Sequence, residues 1–234
     1  MALSYFFLEL SFLAFEIYAM HLDANTDCPE LKIELRNKKN YPVLTSEGEI
    51  HTELLEKYLP IENQKKKNLD LAQIEKNAGR IAYLKKYNAY FYINGVLAIK
   101  ASPRKAVLRV YNKVGQHFYL GVDTLVMPLS SQHSLRLMLT NGNLPKLSSS
   151  YFNQSENEAM NLPDIYKKIF ILATKIQGDE FLDALIDQIY VRSDLEFELI
   201  PKVGVGLIEF GTIEDMDDKL KRLKNFYIKG NEKI

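Results

Sequence analysis

"YINGVLAIKASPRKAVLRVYN", residues 92–112, is the stretch that decides the fold. Asn94-Gly95, between two runs of strand-forming residues, is a strong signal for a β-hairpin. After the second run the chain does not turn back, and it continues extended into Val107–Tyr111. The pattern predicts that one sheet ends and another begins with almost no linker, so we place a domain boundary between Ala101 and Arg104.

Upstream of this boundary, the periodicity predicts a small domain over residues 29–102 with the order strand, helix, helix, strand, strand. Leu31–Leu35 alternates apolar and polar residues, as a half-buried strand does. Two amphipathic helices follow, and the second is capped by Asn68 or Asp70. The hairpin supplies the last two strands. We expect the core of this domain to contain Ile33, Leu71 and Ile93.

Downstream, over residues 103–234, short strands separated by Gly, Asp, Asn or Ser predict an antiparallel β-sheet. Two amphipathic helices accompany it, one from Pro163 and one at the end of the chain. We expect the first helix to bury Ile165, Ile169, Leu172 and Ile176 against the sheet. The second helix has Met216, Leu220, Leu223 and Tyr227 on one face, and Ile208 belongs to the same core. The predicted fold class is α+β.

The distribution of charge favours two modules. The 234-residue chain carries 30 basic and 30 acidic side chains, so its overall charge gives no reason to expect nucleic-acid binding. Residues 57–113 contain thirteen Lys or Arg against three Asp or Glu, whereas residues 153–218 contain five against fifteen. Opposite charges in two parts of a chain are typical of separate modules. Solvated faces that simply differ in charge are the alternative interpretation.

The N-terminal residues 3–20 are nearly all apolar, apart from two serines, Glu9 and Glu16. Eighteen residues of helix just cross a hydrocarbon layer of roughly 30 Å. No Lys or Arg precedes Lys32, so the flanks of a signal peptide or of a positively charged cytoplasmic end are missing. We interpret residues 1–28 as a membrane anchor and linker. The alternatives are an amphipathic packing helix, residues left from cloning, or a misassigned start. Cys28 is the only cysteine, which excludes an internal disulfide.

No stretch of the sequence shows a pattern typical of catalysis or of metal binding. None of the four histidines stands at metal-ligand spacing from another histidine or a carboxylate. Ser130–His133 lacks the glycines of a nucleophile elbow, and Gly204–Gly206 precedes a strand rather than a helix. The carboxylates of Glu214–Asp218 are those that the first turn of a helix favours. We therefore predict no catalytic, cofactor-binding or metal-binding residue, no cofactor and no small-molecule substrate.

Three stretches resemble the FtsQ/DivIB family of cell-division proteins, in which a POTRA domain continues directly into a second β domain. "NLDLAQIEKNAGRIAYLKKYNAYFYINGVLAIKA", residues 68–101, is similar to the second POTRA helix and its hairpin. "YLGVDTLVMPLS", residues 119–130, resembles a tyrosine-containing strand and the turn after it. "FELIPKVGVGLIEFGTIEDMDDKLKRLKNFY", residues 197–227, resembles the late hairpin and the following helix. The likeness runs from about Leu31 to the C-terminus.

This resemblance implies a non-catalytic, bitopic protein of the divisome. Residues 1–28 would cross the inner membrane once, and the body would lie in the periplasm as a POTRA domain, 29–102, and an FtsQ/DivIB-type β domain, 103–234. The protein would be a scaffold that links the FtsB and FtsL partners to septal peptidoglycan synthesis. One alternative is a POTRA-bearing interaction or translocation module, although roughly 130 further residues are too few for a sixteen-stranded barrel. A rival from another class is an extracytoplasmic hydrolase, which the missing acid, base and nucleophile disfavour.

The sequence departs from the family at three places. Thr124 follows Asp123 in a turn where the family usually has glycine, and basic residues are missing around the N-terminal anchor. The chain also stops at Ile234, where the family continues into a strand that is the main docking edge for FtsB. We therefore expect a shortened chain that binds FtsB weakly or not at all, and that regains binding when one strand is added.

Without that last strand, Val205–Phe210 would form an unpaired edge. Such an edge offers free backbone N–H and C=O groups to any extended segment. The last helix would form the neighbouring wall. The predicted partner-binding residues are Leu207, Ile208, Phe210, Phe226 and Tyr227.

Overall fold

A computed structural model describes residues 11–17, 30–37, 41–58, 64–152, 162–204 and 206–231. Within these ranges the chain forms two compact units and passes from the first to the second between Pro103 and Arg104. The short segment 41–44 belongs to the second unit. Each unit has a hydrophobic cluster of its own residues.

Within the described residues from 30 to 103, the first unit contains a three-stranded sheet and two α-helices in the predicted order. The elements are β1 (Leu31–Leu35), α1 (Glu47–Lys57), α2 (Leu71–Ala78), β2 (Leu84–Phe91) and β3 (Leu97–Pro103). Strand β3 is central, parallel to β1 and antiparallel to β2. The parallel pair follows from the two helices, since they carry the chain back across the sheet between β1 and the hairpin.

Side-chain caps begin both helices of the first unit. The Ser46 hydroxyl accepts the N–H of Glu49, and the Glu49 carboxylate accepts the N–H of Ser46 in return, which is a complete capping box. At the second helix the Asp70 carboxylate accepts the N–H groups of Ala72 and Gln73, so Asp70 rather than Asn68 is the cap. Each cap satisfies N–H groups that the first helical turn leaves without partners.

The core of the first unit lies between its sheet and its helices. It buries Ile33 of β1 and Ile74 of α2, and Leu71 packs against its border. The expectation that Ile93 belongs to this core is wrong. Ile93 lies at the tip of the β2–β3 hairpin and is fully exposed, because the turn begins one residue earlier, where the Tyr92 carbonyl accepts the N–H of Gly95.

The second unit is built on a seven-stranded sheet. Its strands are β4 (Ala106–Asn112), β5 (His117–Gly121), β6 (Val126–Pro128), β7 (Met138–Gly142), β8 (Ile186–Val191), β9 (Phe197–Pro201) and β10 (Ile208–Gly211). Its helices are α3 (Asp164–Gln177), α4 (Glu180–Leu185) and α5 (Met216–Asn231). The strand order is β10-β9-β8-β7-β4-β5-β6.

The α+β class is confirmed, but the prediction of an antiparallel sheet with two helices is wrong in detail. Strand β7 is parallel to both of its neighbours, β4 and β8. Residues 113–137 separate β4 from β7, and residues 143–185, which contain α3 and α4, separate β7 from β8, so both parallel pairs have the long connection that a crossover needs. Helix α4 is the additional helix. It has six residues, and the Asp179 carboxylate caps it by accepting the N–H groups of Phe181 and Leu182.

Helix α3 packs its apolar stripe on this sheet, as predicted. Ile169, Leu172 and Ile176 are fully buried, and Ile165 packs at the border of the same cluster. The stripe also contains Tyr166, whose hydroxyl donates to the Pro145 carbonyl at 2.6 Å. Burial raises the pKa of Tyr166 to about 12, so this hydroxyl stays protonated and remains a donor at neutral pH.

A buried amide network attaches the long β7–β8 connection to the turn between β4 and β5. Asn112, only 1% exposed, donates to the side chain of Gln116 and to the carbonyl of Pro145. Gln116 in turn donates to the Leu147 carbonyl and accepts the Leu147 N–H, both at 2.8 Å. Because each buried group has a partner, the network holds the connection in one position.

The same type of hairpin turn occurs four times in the described part of the chain, and in two of these turns the residue with positive φ is not glycine. The position with positive φ is occupied by Gly95 and Gly115 in two turns, and by Thr124 and Leu195 in two others, with φ angles of 64° and 67°. A β-branched residue at positive φ is strained. In the Thr124 turn, the preceding Asp123 pairs with the buried guanidinium of Arg104, which holds the turn in place.

Replacing Thr124 with glycine is expected to stabilise the protein. The substitution relieves roughly 1–2 kcal/mol of left-handed strain. It also gives the unfolded chain more conformational freedom, which costs about 0.5–1 kcal/mol of stability. The free energy of unfolding should therefore rise by about 1 kcal/mol or less. Chemical denaturation of T124G beside the wild type measures this. Val122→Gly in the same turn is the control, since Val122 does not have positive φ, so the change relieves no left-handed strain and should destabilise. A T124G protein less stable than wild type would contradict the strain argument.

Candidate partner-binding surface

Strand β10 forms one edge of the seven-stranded sheet. It pairs antiparallel with β9, with Ile208 opposite Leu199, and no strand in the described part of the chain lies on its other side. The strand is shorter than the predicted Val205–Phe210, because the residues before Ile208 belong to the connection from β9, and Val205 itself lies outside the described residues. An edge of this kind presents backbone donors and acceptors to an incoming segment.

Several features of β10 limit indiscriminate pairing at this edge. The strand has four residues, and its register with β9 is irregular between Glu209 and Gly211. Glu209 also lies directly opposite Glu198 of β9, so two like charges meet on the exposed face. Short length, irregular register and charge are devices by which natural edges avoid aggregation. A partner at this edge therefore has to match both its shape and its acidic face.

The predicted residues on β10 divide between core and surface. Phe210 is only 6% exposed and belongs to the hydrophobic cluster, with the ammonium of Lys219 5.3 Å from its ring centroid. Ile208 is half-buried and packs against the same cluster. Leu207 is 52% exposed and lies outside it. Of these three, Leu207 offers its side chain to a partner, and the other two fix the position of the edge.

Helix α5 also presents an apolar surface. Phe226 is 73% exposed, and its ring meets that of Tyr227 edge-on at a centroid distance of 5.6 Å. Tyr227 itself packs against the hydrophobic cluster, as do the other members of its predicted stripe. Phe226 and Ile228 lie on either side of Tyr227, so they fall off the buried face of the helix. A large exposed aromatic side chain on a rigid helix is a typical interaction anchor.

Two ion pairs fasten α5 to the neighbouring helices. Lys224 pairs with Asp179 at 2.6 Å, and Lys175 of α3 pairs with Asp217 at 2.8 Å. The hydrogen bond from Lys224, and then the N–H of Leu182, lower the pKa of Asp179 below its usual value. A carboxyl group whose pKa is lower in the folded protein than in the unfolded chain stabilises the fold at pH values above its unfolded pKa. That contribution is lost as the pH falls through its folded pKa. At neutral pH the Asp179 carboxylate is therefore ionised and paired with Lys224.

The structure thus brings some of the predicted residues together and leaves others apart. Ile208, Phe210 and Tyr227 share one hydrophobic cluster, whereas Leu207 and Phe226 project from its surroundings. Sequence reasoning missed Val203, which is 68% exposed in the connection before β10, and also Ile228. The exposure of Ile228 could have been predicted, because it lies beside the predicted apolar stripe of the last helix. No sequence pattern around Val203 predicts its exposure. Binding by these residues remains a prediction.

The described residues contain no group of three or more His, Cys, Asp or Glu side chains arranged to hold a metal ion. They also contain no helix long and apolar enough to cross a membrane. The predicted anchor lies mostly outside the described residues, of which it contains only 11–17, and Cys28 lies outside them as well.

Residues 105–234 match the model of a protein family described as "FtsQ/DivIB, C-terminal related". The chain belongs to this FtsQ/DivIB-related family. The resemblance seen in the sequence is therefore confirmed over most of the second unit. A search of curated proteins gave no match.

Membership in the FtsQ/DivIB-related family supports a role in cell division. The FtsQ/DivIB family is known as non-catalytic. The matched region contains all seven strands of the second sheet, and it includes α5. The β10 edge and Phe226 therefore lie within the part of the chain that defines the family.

Proposed function

We propose that this FtsQ/DivIB-related protein is a non-catalytic scaffold of the divisome that links FtsB and FtsL to septal peptidoglycan synthesis. The observation that carries the proposal is the open β10 edge in the family-defining unit, followed in the chain by a helix that exposes Phe226. A non-catalytic scaffold acts by holding partners, and an open strand edge is a surface that holds an extended segment.

The proposal includes the predicted placement of the protein. The apolar residues 3–20 support a single-pass anchor in the inner membrane, with the body in the periplasm. The strand, helix, helix, strand, strand order of the first unit supports its assignment as a POTRA domain. Both assignments rest on sequence pattern and element order.

At the proposed interface, a segment of FtsB adds to the sheet beside β10. Backbone hydrogen bonds supply the pairing, and side chains supply the selectivity. Leu207 lies at the start of the edge, and Phe226 lies on the following helix, so both are available for apolar contact. Burying one such side chain contributes roughly 1.5–3 kcal/mol. The carboxylate of Glu209 favours a partner with a basic or neutral residue at the opposite position.

Site-specific photo-crosslinking tests the interface and detects weak complexes as well as tight ones. A benzoylphenylalanine replaces Leu207 or Phe226 in the membrane-anchored chain, which is produced together with FtsB and FtsL. We expect both positions to crosslink to FtsB on irradiation. The charged variants Leu207→Lys and Phe226→Lys, each combined with the crosslinker at the other position, should then lower the yield of FtsB crosslinks about tenfold or more, since each loses apolar contact and places a charge in the interface.

Ile171 is the matched control, because it is a large apolar residue with 47% exposure on α3 of the same unit. A crosslinker at position 171 should not crosslink to FtsB, and Ile171→Lys should leave FtsB binding unchanged. Circular dichroism of each variant checks that the fold is intact. FtsB crosslinks at position 171 but not at 207 or 226 would show that the partner binds elsewhere and would overturn the proposal.

A further inference from the structure

A groove runs along the face of the seven-stranded sheet that points away from α3. Leu108, Val110 and Met138 face the helix side and belong to the hydrophobic cluster. Because side chains alternate along a strand, Arg109, Tyr111 and Leu139 lie on the opposite face. There they line a cavity of about 820 Å³ with residues 134–137, which precede β7. A second cavity, of about 380 Å³, shares Arg136, Leu137 and Asp187 with it and continues to the end of the sheet beside α3 and α4, which contribute Gln177 and Asp183 to its lining.

The wall of this groove is preformed. Residues 129–137 connect β6 to β7, and within this connection the N–H of Leu135 donates to the hydroxyl of Tyr119 on β5 at 3.2 Å. Tyr119 is almost fully buried, although its side chain points away from the helices, because this connection covers it. The guanidinium of Arg109 lies 5.8 Å from the Tyr119 ring centroid and is held against it. A groove with fixed walls loses little entropy when a ligand binds.

The charge of the groove is unbalanced. Neither Arg109 nor Arg136 has an ion-pair partner among the described residues, although both line the larger cavity. The smaller cavity adds the exposed ammonium groups of Lys105 and Lys202, the latter bonded to a backbone carbonyl. Facing these four cations are two carboxylates, Asp183 and Asp187. The remaining positive charge is complementary to an anionic ligand, and guanidinium groups bind carboxylates in a planar, two-bonded geometry.

Apolar and aromatic side chains lie between the charged ones. Leu137 and Leu139 are half-buried in the floor, and Tyr111 packs edge-on against His117 at 4.1 Å at one end. Tyr111 is 44% exposed. The groove therefore offers apolar contact beside each arginine, which suits a ligand with alternating acidic and apolar side chains.

The length of the groove fits a short extended segment. It follows β4 from Lys105 and Ala106 to Tyr111, which at about 3.3 Å per residue is roughly 17–20 Å. Five or six residues of an extended peptide have the same length. We propose that this groove binds an extended acidic segment of a partner protein, with carboxylates paired to Arg109 and Arg136 and apolar side chains on Leu137 and Leu139.

This site is separate from the β10 edge, since β8 and β9 lie between β7 and β10. Fluorescence anisotropy with a labelled hexapeptide, Glu-Leu-Glu-Phe-Asp-Leu, tests it on the full chain. We expect saturable binding that weakens as salt increases, and no binding of the peptide in which lysine replaces each acidic residue. Arg136→Ala should weaken binding about tenfold, and Arg136→Glu more strongly, because charge reversal adds repulsion.

Arg222→Ala is the matched control, since Arg222 is an exposed arginine on α5. Because Arg136 is exposed, its substitution leaves the core intact. Arg109→Ala is the second variant, and its fold is checked as well. Equal affinity of wild type and R136A for the acidic peptide would overturn the proposal. Displacement of the peptide by succinate at a similar concentration would overturn it in favour of a small dicarboxylate. Loss of FtsB crosslinking at positions 207 and 226 in R136A would overturn the assignment of this groove as a site separate from the β10 edge.

Discussion

Replacing Gly142 with alanine is expected to destabilise the second unit severely. Gly142 ends β7 with φ of 108°, opposite Val191 of the parallel strand β8. A methyl group there would overlap the Val191 carbonyl oxygen and lie 2.8 Å from its nitrogen. Positive φ costs roughly 1–2 kcal/mol, and overpacking against backbone costs about 1–3 kcal/mol more. We expect the free energy of unfolding, measured by chemical denaturation, to fall by about the sum of these terms.

Gly115→Ala separates the two costs. Gly115 also has positive φ, at 85°, but a methyl group added there meets no atom within 4 Å. G115A should therefore show the conformational cost alone, roughly 1–2 kcal/mol. Equal destabilisation by G142A and G115A would mean that β7 and β8 are not packed as closely at this point as the structure shows.

Leu172→Ala is expected to lower the free energy of unfolding by roughly 2–5 kcal/mol. Leu172 is fully buried in the middle of α3, between Ile169 and Ile176 on the face that packs on the sheet. Its truncation loses apolar burial and leaves a cavity that the neighbouring strands close only in part. Chemical denaturation, followed by the far-ultraviolet circular dichroism of the helices, measures the loss.

Ile171→Ala on the same helix is the control, because Ile171 is exposed and its truncation should cost about 0.5 kcal/mol or less. An L172A protein with unchanged stability but lost partner binding would identify the stripe as an interface rather than a core.

The sequence predicted those parts of the fold whose signals are local. Asn94-Gly95 predicted the hairpin, and the spacing of Ile169, Leu172 and Ile176 predicted a buried helix face, because turn conformation and helical period depend on neighbouring residues. Strand direction was not predictable in this way. The residues of β7 are the same whether it runs parallel or antiparallel to β4, and long connections decide its direction.

The candidate surfaces show the same limit. Exposure of Phe226 could be inferred from the stripe of α5, since the residue lies beside Tyr227 on the helix. The groove could not be inferred, because Arg109 and Arg136 are far apart in the chain. They meet only because the connection from β6 crosses the outer face of the sheet. Sequence reasoning also placed Phe210 in a partner surface, whereas its side chain packs inward.

The parallel arrangement of β7 sets the order in which the second unit can fold during synthesis. Strands β4 and β5 form a hairpin from neighbouring residues, but β7 gains its second neighbour only when β8 has left the ribosome, after residues 143–185. Closing such a long loop is slow compared with hairpin formation. Until then, the strand that will be the centre of the sheet has an unpaired edge of backbone N–H and C=O groups. A nascent chain of this protein is therefore most exposed to misassembly between the synthesis of Gly142 and of Val191, the interval in which a holding chaperone would protect it.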